Sequence, residues 1–167
     1  MMVTNDIILE KATQYLGQDF ISAETPFDLL TITVAKNRII DILQYLKTDA
    51  SLNFIFLTDI TAVHYPNQLG SELCVVYHLH NLEQNIRVRI KAFLDITQPE
   101  IESATAVFRS ANWMERETYD FYGVIFKNHP NLIRILNIDE MDYFPMRKEY
   151  PLEDGTRTDK DDSMFGR

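Results

Sequence analysis

The sequence is poor in several features that whole classes of protein require. Its 167 residues include a single cysteine, Cys74, so no disulfide can form within the chain and a reducing compartment is expected. One thiolate also falls short of the roughly four that an iron–sulfur cluster needs. No apolar run approaches the ~20 residues of a membrane span, and residues 1–10 lack the basic and apolar segments of a signal peptide. We therefore expect neither a cluster nor a membrane span in this chain.

Glycine and basic residues are scarce as well. The five glycines lie far apart, so no Gly-rich phosphate loop or dinucleotide fingerprint fits, and no Gly-x-Ser-x-Gly pattern supports a hydrolase. The formal net charge is −9, which disfavours nucleic acid or an anionic lipid surface as a direct partner. A hydrophobic content of 46% is typical of a globular domain with its own core.

The spacing of apolar residues predicts an α+β fold. In NIRVRIKAFLD (85–95) apolar and basic residues alternate, which indicates a strand with one buried face and hence antiparallel pairing. A cap at Thr97 or Ser103 predicts a helix that leads into residues 111–123. We expect two layers, with helices packed on a mostly antiparallel sheet, followed by an extended C-terminal arm. The other predicted elements are a helix from Asn5 or Asp6 to Leu16, a strand over 29–34, a helix from Asn37, and strands within 53–65 and 72–82.

The character of the sequence changes after Gly123. Prolines interrupt it, and apolar residues such as Ile133 and Phe144 need burial although they follow no regular period. We therefore predict a core domain over residues 1–123, a partner-binding C-terminal arm over 124–152, and a polar, flexible tail over 153–167.

Two patterns in the strands have both a functional and a structural interpretation. His78 and His80 share a strand face with Cys74, a spacing that zinc can use, but a structural pair beside an inert thiol is the favoured interpretation. The basic row of Arg87, Arg89 and Lys91 can receive an acidic partner or a phosphate. The solvated face of a strand is the commoner explanation of such a row.

The segment ANWMERETYDFYG (111–123) mixes charges with aromatic residues. Glu115 and Glu117 are two residues apart on a helix and point in different directions, which argues against a general acid–base pair. Arg116 and Asp120 are four apart and are predicted to pair with each other. Gly123 is placed to end the helix in a left-handed conformation. Because buried charges must be paired, a structural or interface role is favoured over catalysis.

Three motifs together resemble a known family. ANWMERETYDFYG, FKNHPNLIRIL and FPMRKEYPL occur in the order and spacing typical of the C subunit, or 30 kDa subunit, of respiratory complex I (NADH:quinone oxidoreductase). FLTDITAVHYP and ELCVVYHLHN are similar to weaker motifs of that family. The resemblance covers most of residues 25–152. The sequence departs from the family pattern where Met141-Asp142-Tyr143 replaces a Trp-x-Gly.

The resemblance implies a subunit of the peripheral arm of a proton-translocating enzyme, on the cytoplasmic face of the bacterial inner membrane. The expected partners are the hydrogenase-like D subunit, then the B subunit and neighbouring iron–sulfur subunits, with D and B framing the quinone site. The chain itself is expected to bind no flavin, cluster or metal, to have no catalytic residue, and to contact the membrane only through the complex. The implied interface and structural residues are Glu115, Arg116, Glu117, Asp120, Gly123, His129, Pro130, Arg134, Arg147, Lys148, Tyr150 and Pro151.

Three alternatives remain open at this point. The chain can be the equivalent subunit of a membrane-bound hydrogenase or of a ferredoxin-linked complex. It can be an independent metal-dependent enzyme that uses the His/Cys strand face. A third alternative is a stand-alone adaptor module, which the apolar residues of the C-terminal arm disfavour because they need a partner to cover them.

Overall fold

Three α-helices and seven β-strands form the part of the chain that the computed structural model describes, residues 3–150. This arrangement confirms the predicted α+β class. None of the described helices is long and apolar enough to cross a membrane. In chain order the elements are α1 (Asn5–Leu16), β1 (Phe20–Glu24), β2 (Leu30–Val34), α2 (Ile39–Thr48), β3 (Phe56–His64), β4 (Leu73–Asn81), β5 (Ile86–Leu94), β6 (Glu100–Glu102), α3 (Ala111–Tyr122) and β7 (Ile125–Lys127).

Five strands form one mixed sheet in the order β1-β2-β5-β4-β3. Antiparallel pairing of β3 with β4 and of β4 with β5 confirms the prediction for these strands. The exception is β2, which pairs with β5 in parallel, so that Leu30 lies beside Val88. A parallel pair needs a crossover rather than a hairpin, and the chain between β2 and β5 supplies it with α2, β3 and β4.

The hydrophobic core lies between one face of this sheet and the helices. Alternate strand residues such as Tyr77 and Ile90 are fully buried against Ile8 of α1 and Leu43 of α2. The period of two along the strands and of about 3.6 along the helices brings these residues to one layer. The opposite strand face carries the basic row of β5, as the alternation in 85–95 predicts.

The segment before α3 differs from its prediction. Ser103 does cap a helical turn, but that turn is a short 3-10 helix, Ala104–Ala106, and α3 begins only at Ala111. The reason is that Ser103 and Ala104 donate hydrogen bonds to Glu115, so this segment folds back onto α3 instead of continuing into it. At the other end of the chain, Thr4 rather than Asn5 or Asp6 caps α1.

Regular structure continues beyond Gly123. Strand β7 pairs in parallel with β6, and Val124 and Phe126 are buried in the core. The rest of the C-terminal arm, up to Tyr150, has turns but no helix or strand in its described part. The predicted division into core, arm and tail stays a prediction, and the tail lies outside the described residues.

Candidate functional site

Helix α3 is the base on which the C-terminal arm is held. Its buried face carries Ala111, Glu115 and Thr118, and the Thr118 hydroxyl lies 3.2 Å from the Ile60 carbonyl of β3. The helix ends at Gly123, whose N–H donates to the Tyr119 carbonyl at 2.8 Å and whose φ is +74°. The predicted left-handed helix end is therefore confirmed.

The carboxylate of Asp120 is the centre of the site. It is completely buried and accepts hydrogen bonds from five donors of the C-terminal arm. Burial by itself would raise the pKa of Asp120, but these bonds outweigh it and hold the pKa well below the usual range. The side chain is therefore a fixed anion inside the protein. Its donors are the N–H groups of Ile135 (3.1 Å), Leu136 (2.8 Å) and Asn137 (2.9 Å), the Asn137 amide (3.0 Å) and the Arg134 guanidinium (2.7 Å).

Arg134 connects Asp120 to a later part of the C-terminal arm. Its Nη1 bonds both the carboxylate and the backbone carbonyl of Asp120, the latter at 3.0 Å. Its Nη2 donates to the carbonyls of Met141 (2.6 Å) and Tyr143 (3.1 Å). The guanidinium also lies 5.3 Å from the ring centroid of Phe144. One side chain thus fixes two separate turns of the arm against α3.

The predicted pairing of Arg116 with Asp120 is wrong. Arg116 instead donates to the carbonyls of Ile133 and Arg134, both at 3.1 Å, and lies 5.3 Å from the ring centroid of Trp113. The prediction failed because the arm brings Asp120 an arginine of its own and a run of N–H groups. The two side chains are one helical turn apart and therefore bind the same segment of the arm. Arg116 binds the backbone carbonyls of that segment, and Asp120 binds its backbone N–H groups.

Glu115 contradicts the expectation that buried charges in this motif are paired. Its carboxylate is completely buried and accepts hydrogen bonds from the Ser103 hydroxyl and the Ala104 N–H, both at 2.6 Å. No lysine or arginine of the described chain contacts it. Burial raises the pKa of Glu115 to about 7, and the two hydrogen bonds only partly oppose this shift.

His129 is a titratable side chain beside Glu115, with 3.9 Å between His129 Nε2 and the carboxylate. Its ring is fully buried, Nδ1 accepts from the N–H of Asn131 at 3.0 Å, and Nε2 lies 3.1 Å from the carbonyl of Asn112. This arrangement needs an imidazole that carries its proton on Nε2 and none on Nδ1. His129 therefore attaches the start of the arm to α3 through the backbone.

The remaining predicted site residues are spread along the C-terminal arm and the helix surface. Arg147 donates to the Tyr122 carbonyl at 2.7 Å, and the backbone N–H of Lys148 donates to His64 Nδ1 at 3.0 Å. Tyr150 packs on Tyr143, with 4.9 Å between ring centroids. Three other predicted residues complete the set: Pro130 is exposed, Glu117 lines a cavity of about 350 Å³ between α3 and β3, and Pro151 lies outside the described residues.

Sequence reasoning missed two members of this site. Phe144 packs under Gly123 and contacts both Arg134 and Arg147. In the sequence it is only an apolar residue in a segment without helical or strand periodicity, which indicates burial but no particular contact. His64 accepts from a backbone group 84 residues away, a contact that no local pattern could indicate.

The His/Cys face of β4 does not form a metal site in the described chain. His78 Nε2 accepts from Arg89 Nε at 2.9 Å, and His80 contacts the Asn85 amide oxygen at 3.1 Å. Burial raises the pKa of the Cys74 thiol to about 12. Within residues 3–150, no three His, Cys, Asp or Glu side chains are grouped to hold a metal ion.

Replacing the buried anion tests its structural role. We expect Asp120→Ala to lower the free energy of unfolding by about 3–5 kcal/mol, because it leaves the Arg134 charge and several amides buried without an acceptor. Glu117→Ala, an exposed carboxylate on the same helix, should cost less than about 0.5 kcal/mol. Chemical denaturation measures both changes, and equal effects of the two variants would contradict the assignment.

The tight contact at the helix end gives a second prediction. A Cβ at Gly123 would stand 2.5 Å from Phe144 Cε2 and 2.7 Å from Arg147 Nη2, whereas a Cβ at Gly70, with a similar φ of +79°, meets nothing. Both alanine variants should lose about 1 kcal/mol from the positive φ. Only Gly123→Ala should lose more and speed hydrogen exchange in residues 141–148, and identical behaviour of the two variants would be inconsistent with this contact.

The raised pKa of Glu115 predicts a pH-dependent stability. In the folded chain Glu115 keeps its proton up to about pH 7, whereas in the unfolded chain it releases the proton near pH 4.5. Unfolding therefore releases a proton between these two pH values. The free energy of unfolding should therefore fall as pH rises from about 4.5 to about 7, by up to ~3 kcal/mol for this group. Glu115→Gln should remove that slope from denaturation curves recorded across the range, and an unchanged slope would refute it.

Comparison with known proteins gives one consistent result. A family model described as the 30 kDa subunit of respiratory-chain NADH dehydrogenase matches residues 32–156. The chain is 48% identical over 124 residues to the C subunit of NADH-quinone oxidoreductase from Citrifermentans bemidjiense, which covers 74% of this chain and 75% of the relative. It is 39% identical over 152 residues to the C subunit from Mycolicibacterium gilvum, covering 88% and 67% respectively.

Solved structures agree with the sequence matches. A trypsin-resistant fragment of Nqo5 superposes with a TM-score of 0.65 at 26% identity, covering 76% of this chain and 98% of the fragment. A chain of an archaeal membrane-bound sulfane sulfur reductase superposes with a TM-score of 0.73, covering 88% of this chain and 85% of that one, and at 24% identity it shows the fold alone. The resemblance inferred from the three motifs is confirmed. The chain belongs to the family of the 30 kDa subunit, or C subunit, of respiratory-chain NADH:quinone oxidoreductase.

Proposed function

We propose that this chain is a scaffold subunit in the peripheral arm of a proton-translocating NADH:quinone oxidoreductase. In this proposal the C-terminal arm docks on the hydrogenase-like D subunit near the quinone site, with the B subunit and iron–sulfur subunits as further neighbours. In this proposal the peripheral arm lies on the cytoplasmic face of the bacterial inner membrane. This chain binds no flavin, cluster or metal and transfers no electron or proton itself.

The observation that carries the proposal is the reversed polarity of residues 133–138 in the C-terminal arm. Backbone groups of residues 133–137 point inward to Asp120 and Arg116, whereas the Leu136 and Ile138 side chains are 65% and 67% exposed. Large apolar side chains exposed close together mark a protein interface. Other large apolar side chains exposed around α3 and the arm are Trp113, Ile133, Ile135, Tyr143 and Met146.

The state of the polar groups supports a structural rather than a catalytic role. The oxygens of Asp120 are occupied by five donors, and both terminal nitrogens of the Arg134 guanidinium, Nη1 and Nη2, are bonded to acceptors. A group with its hydrogen bonds already filled cannot bind a substrate without first losing them. Glu115 has the raised pKa of an acid–base group, but it is completely buried and bonded to the backbone.

Preorganisation also supports docking through this surface. The backbone of residues 133–137 is held by Arg116 and Asp120, so little conformational entropy remains to be lost when a partner covers it. An apolar surface on a rigid backbone retains more of its burial energy as affinity.

Polar replacement of the exposed side chains tests the docking. We expect a chain with Leu136→Gln and Ile138→Gln to fold with an unchanged melting temperature, because neither side chain is buried in it. The amount that co-purifies with a tagged D subunit should fall at least tenfold. A loss of about 1.4 kcal/mol of burial energy already weakens the binding constant tenfold. Leu69→Gln, at a residue that is 88% exposed in the β3–β4 turn, is the matched control. Full recovery of the D subunit with the double variant would overturn the proposal.

A further inference from the structure

A second surface lies away from the C-terminal arm, on the sheet face opposite the helices. Its members are Arg87, Arg89 and Lys91 of β5, which we call the basic patch. Two other groups on this face are Glu24 of β1 and Asp59 of β3. A third carboxylate, Asp28, lines the recess beside Arg87, so the three cations and three carboxylates balance. What distinguishes this surface is which of its cations lack a carboxylate partner.

The cations of the basic patch differ in how far the chain satisfies them. Lys91 pairs with Glu24 at 2.8 Å. Arg89 donates from Nε to His78, a ring whose pKa is lowered by burial and by Arg89 itself, so its acceptor is neutral. Arg87 is exposed and has no ion-pair partner among residues 3–150. By contrast, the arginines around α3 are bound to carbonyls or to Asp120. The basic patch therefore keeps guanidinium groups free for an external acceptor.

Phe27 stands beside the basic patch and is completely exposed. Its φ is +52° and that of Asp28 is +63°, a left-handed conformation at two successive residues that are not glycine. Such a backbone is strained, and the strain is not offset by burial of the ring in this chain. Phe27 and Arg87 line the same recess of about 470 Å³, together with Asp28, Leu29 and Ile86.

This surface is distant from the proposed docking surface for the D subunit. The recess lies at the start of β5, at Ile86. The C-terminal arm contacts the sheet near the other end of β5, where the N–H of Lys148 donates to His64. His64 pairs with Leu73, which in turn pairs with Leu94 at the end of β5. The eight steps along β5 correspond to roughly 25 Å. The recess and this contact of the arm therefore lie at opposite ends of β5.

We propose that the basic patch and Phe27 form a second docking surface, which receives an acidic segment of another protein subunit. Carboxylates of that segment pair with Arg87 and Arg89, and an apolar pocket takes Phe27. Phenylalanine and arginine are both enriched in protein interfaces, and arginine is enriched at their energetic centres. A second copy of this chain is disfavoured, because a twofold contact would bring two basic patches together. The proposal does not depend on the contact with the D subunit.

Photo-crosslinking in the assembled complex tests this surface. Phe27 is replaced by a photoreactive phenylalanine analogue, and the complex is purified from native membranes and irradiated. We expect one cross-linked subunit, joined at a segment rich in Asp and Glu. The same analogue at Leu69 is the positional control and should not label that segment. Labelling of lipid, of nucleic acid, of a second copy or of this chain alone would overturn the proposal.

Charge reversal adds a second measurement. Arg87→Glu should lower the cross-linking yield at least fivefold, while co-purification of the D subunit stays unchanged, so that failure of this proposal and failure of D-subunit docking are distinguishable. Lys36→Glu, the same charge change at an exposed residue beyond the other end of β2, should leave the yield unaltered. Replacing the partner subunit's carboxylate at the cross-linked segment with arginine should restore the cross-linking yield of the Arg87→Glu variant. A yield unaffected by Arg87→Glu would refute the proposed ion pair.

Discussion

The arrangement of the C-terminal arm depends on one buried carboxylate. Asp120 has no exposure to water, and a single negative charge in that position is stable only because five donors converge on it. All five come from residues 134–137. The arm therefore cannot leave α3 without exposing or orphaning this charge, and its path over residues 128–150 is fixed without a helix or strand.

The same helix shows how the supply of donors decides the state of a buried acid. Glu115 and Asp120 are both fully buried, yet the pKa of Glu115 is raised to about 7 and that of Asp120 is held well below its usual range. Glu115 has two neutral donors, whereas Asp120 has a guanidinium as well as an amide and three backbone N–H groups. Burial acts on both, and the hydrogen bonds determine the outcome.

The parts of this structure that were predictable are those governed by short-range pattern. Alternation in 85–95, the helix of residues 5–16 and the left-handed end at Gly123 each follow from neighbouring residues. The partner of Asp120 could not be predicted in this way, because both Arg116, four residues away, and Arg134, fourteen residues away, are compatible with the sequence. The choice depends on the path of the arm, which brings amides and Arg134 to the carboxylate together. The bond between Lys148 and His64, 84 residues apart, is of the same kind.

The inward direction of the arm's polar groups has a consequence for assembly. In most surface segments, polar groups bond to water and apolar groups pack inward, so the segment loses its hydration when a partner covers it. Here the backbone of residues 133–137 is already bonded to Arg116 and Asp120, and the side chains of Leu136 and Ile138 are exposed. Covering this surface costs little desolvation of polar groups and releases water from apolar ones. The charged residues of α3 thus contribute to docking indirectly, by leaving an apolar outer surface on a backbone that is already ordered.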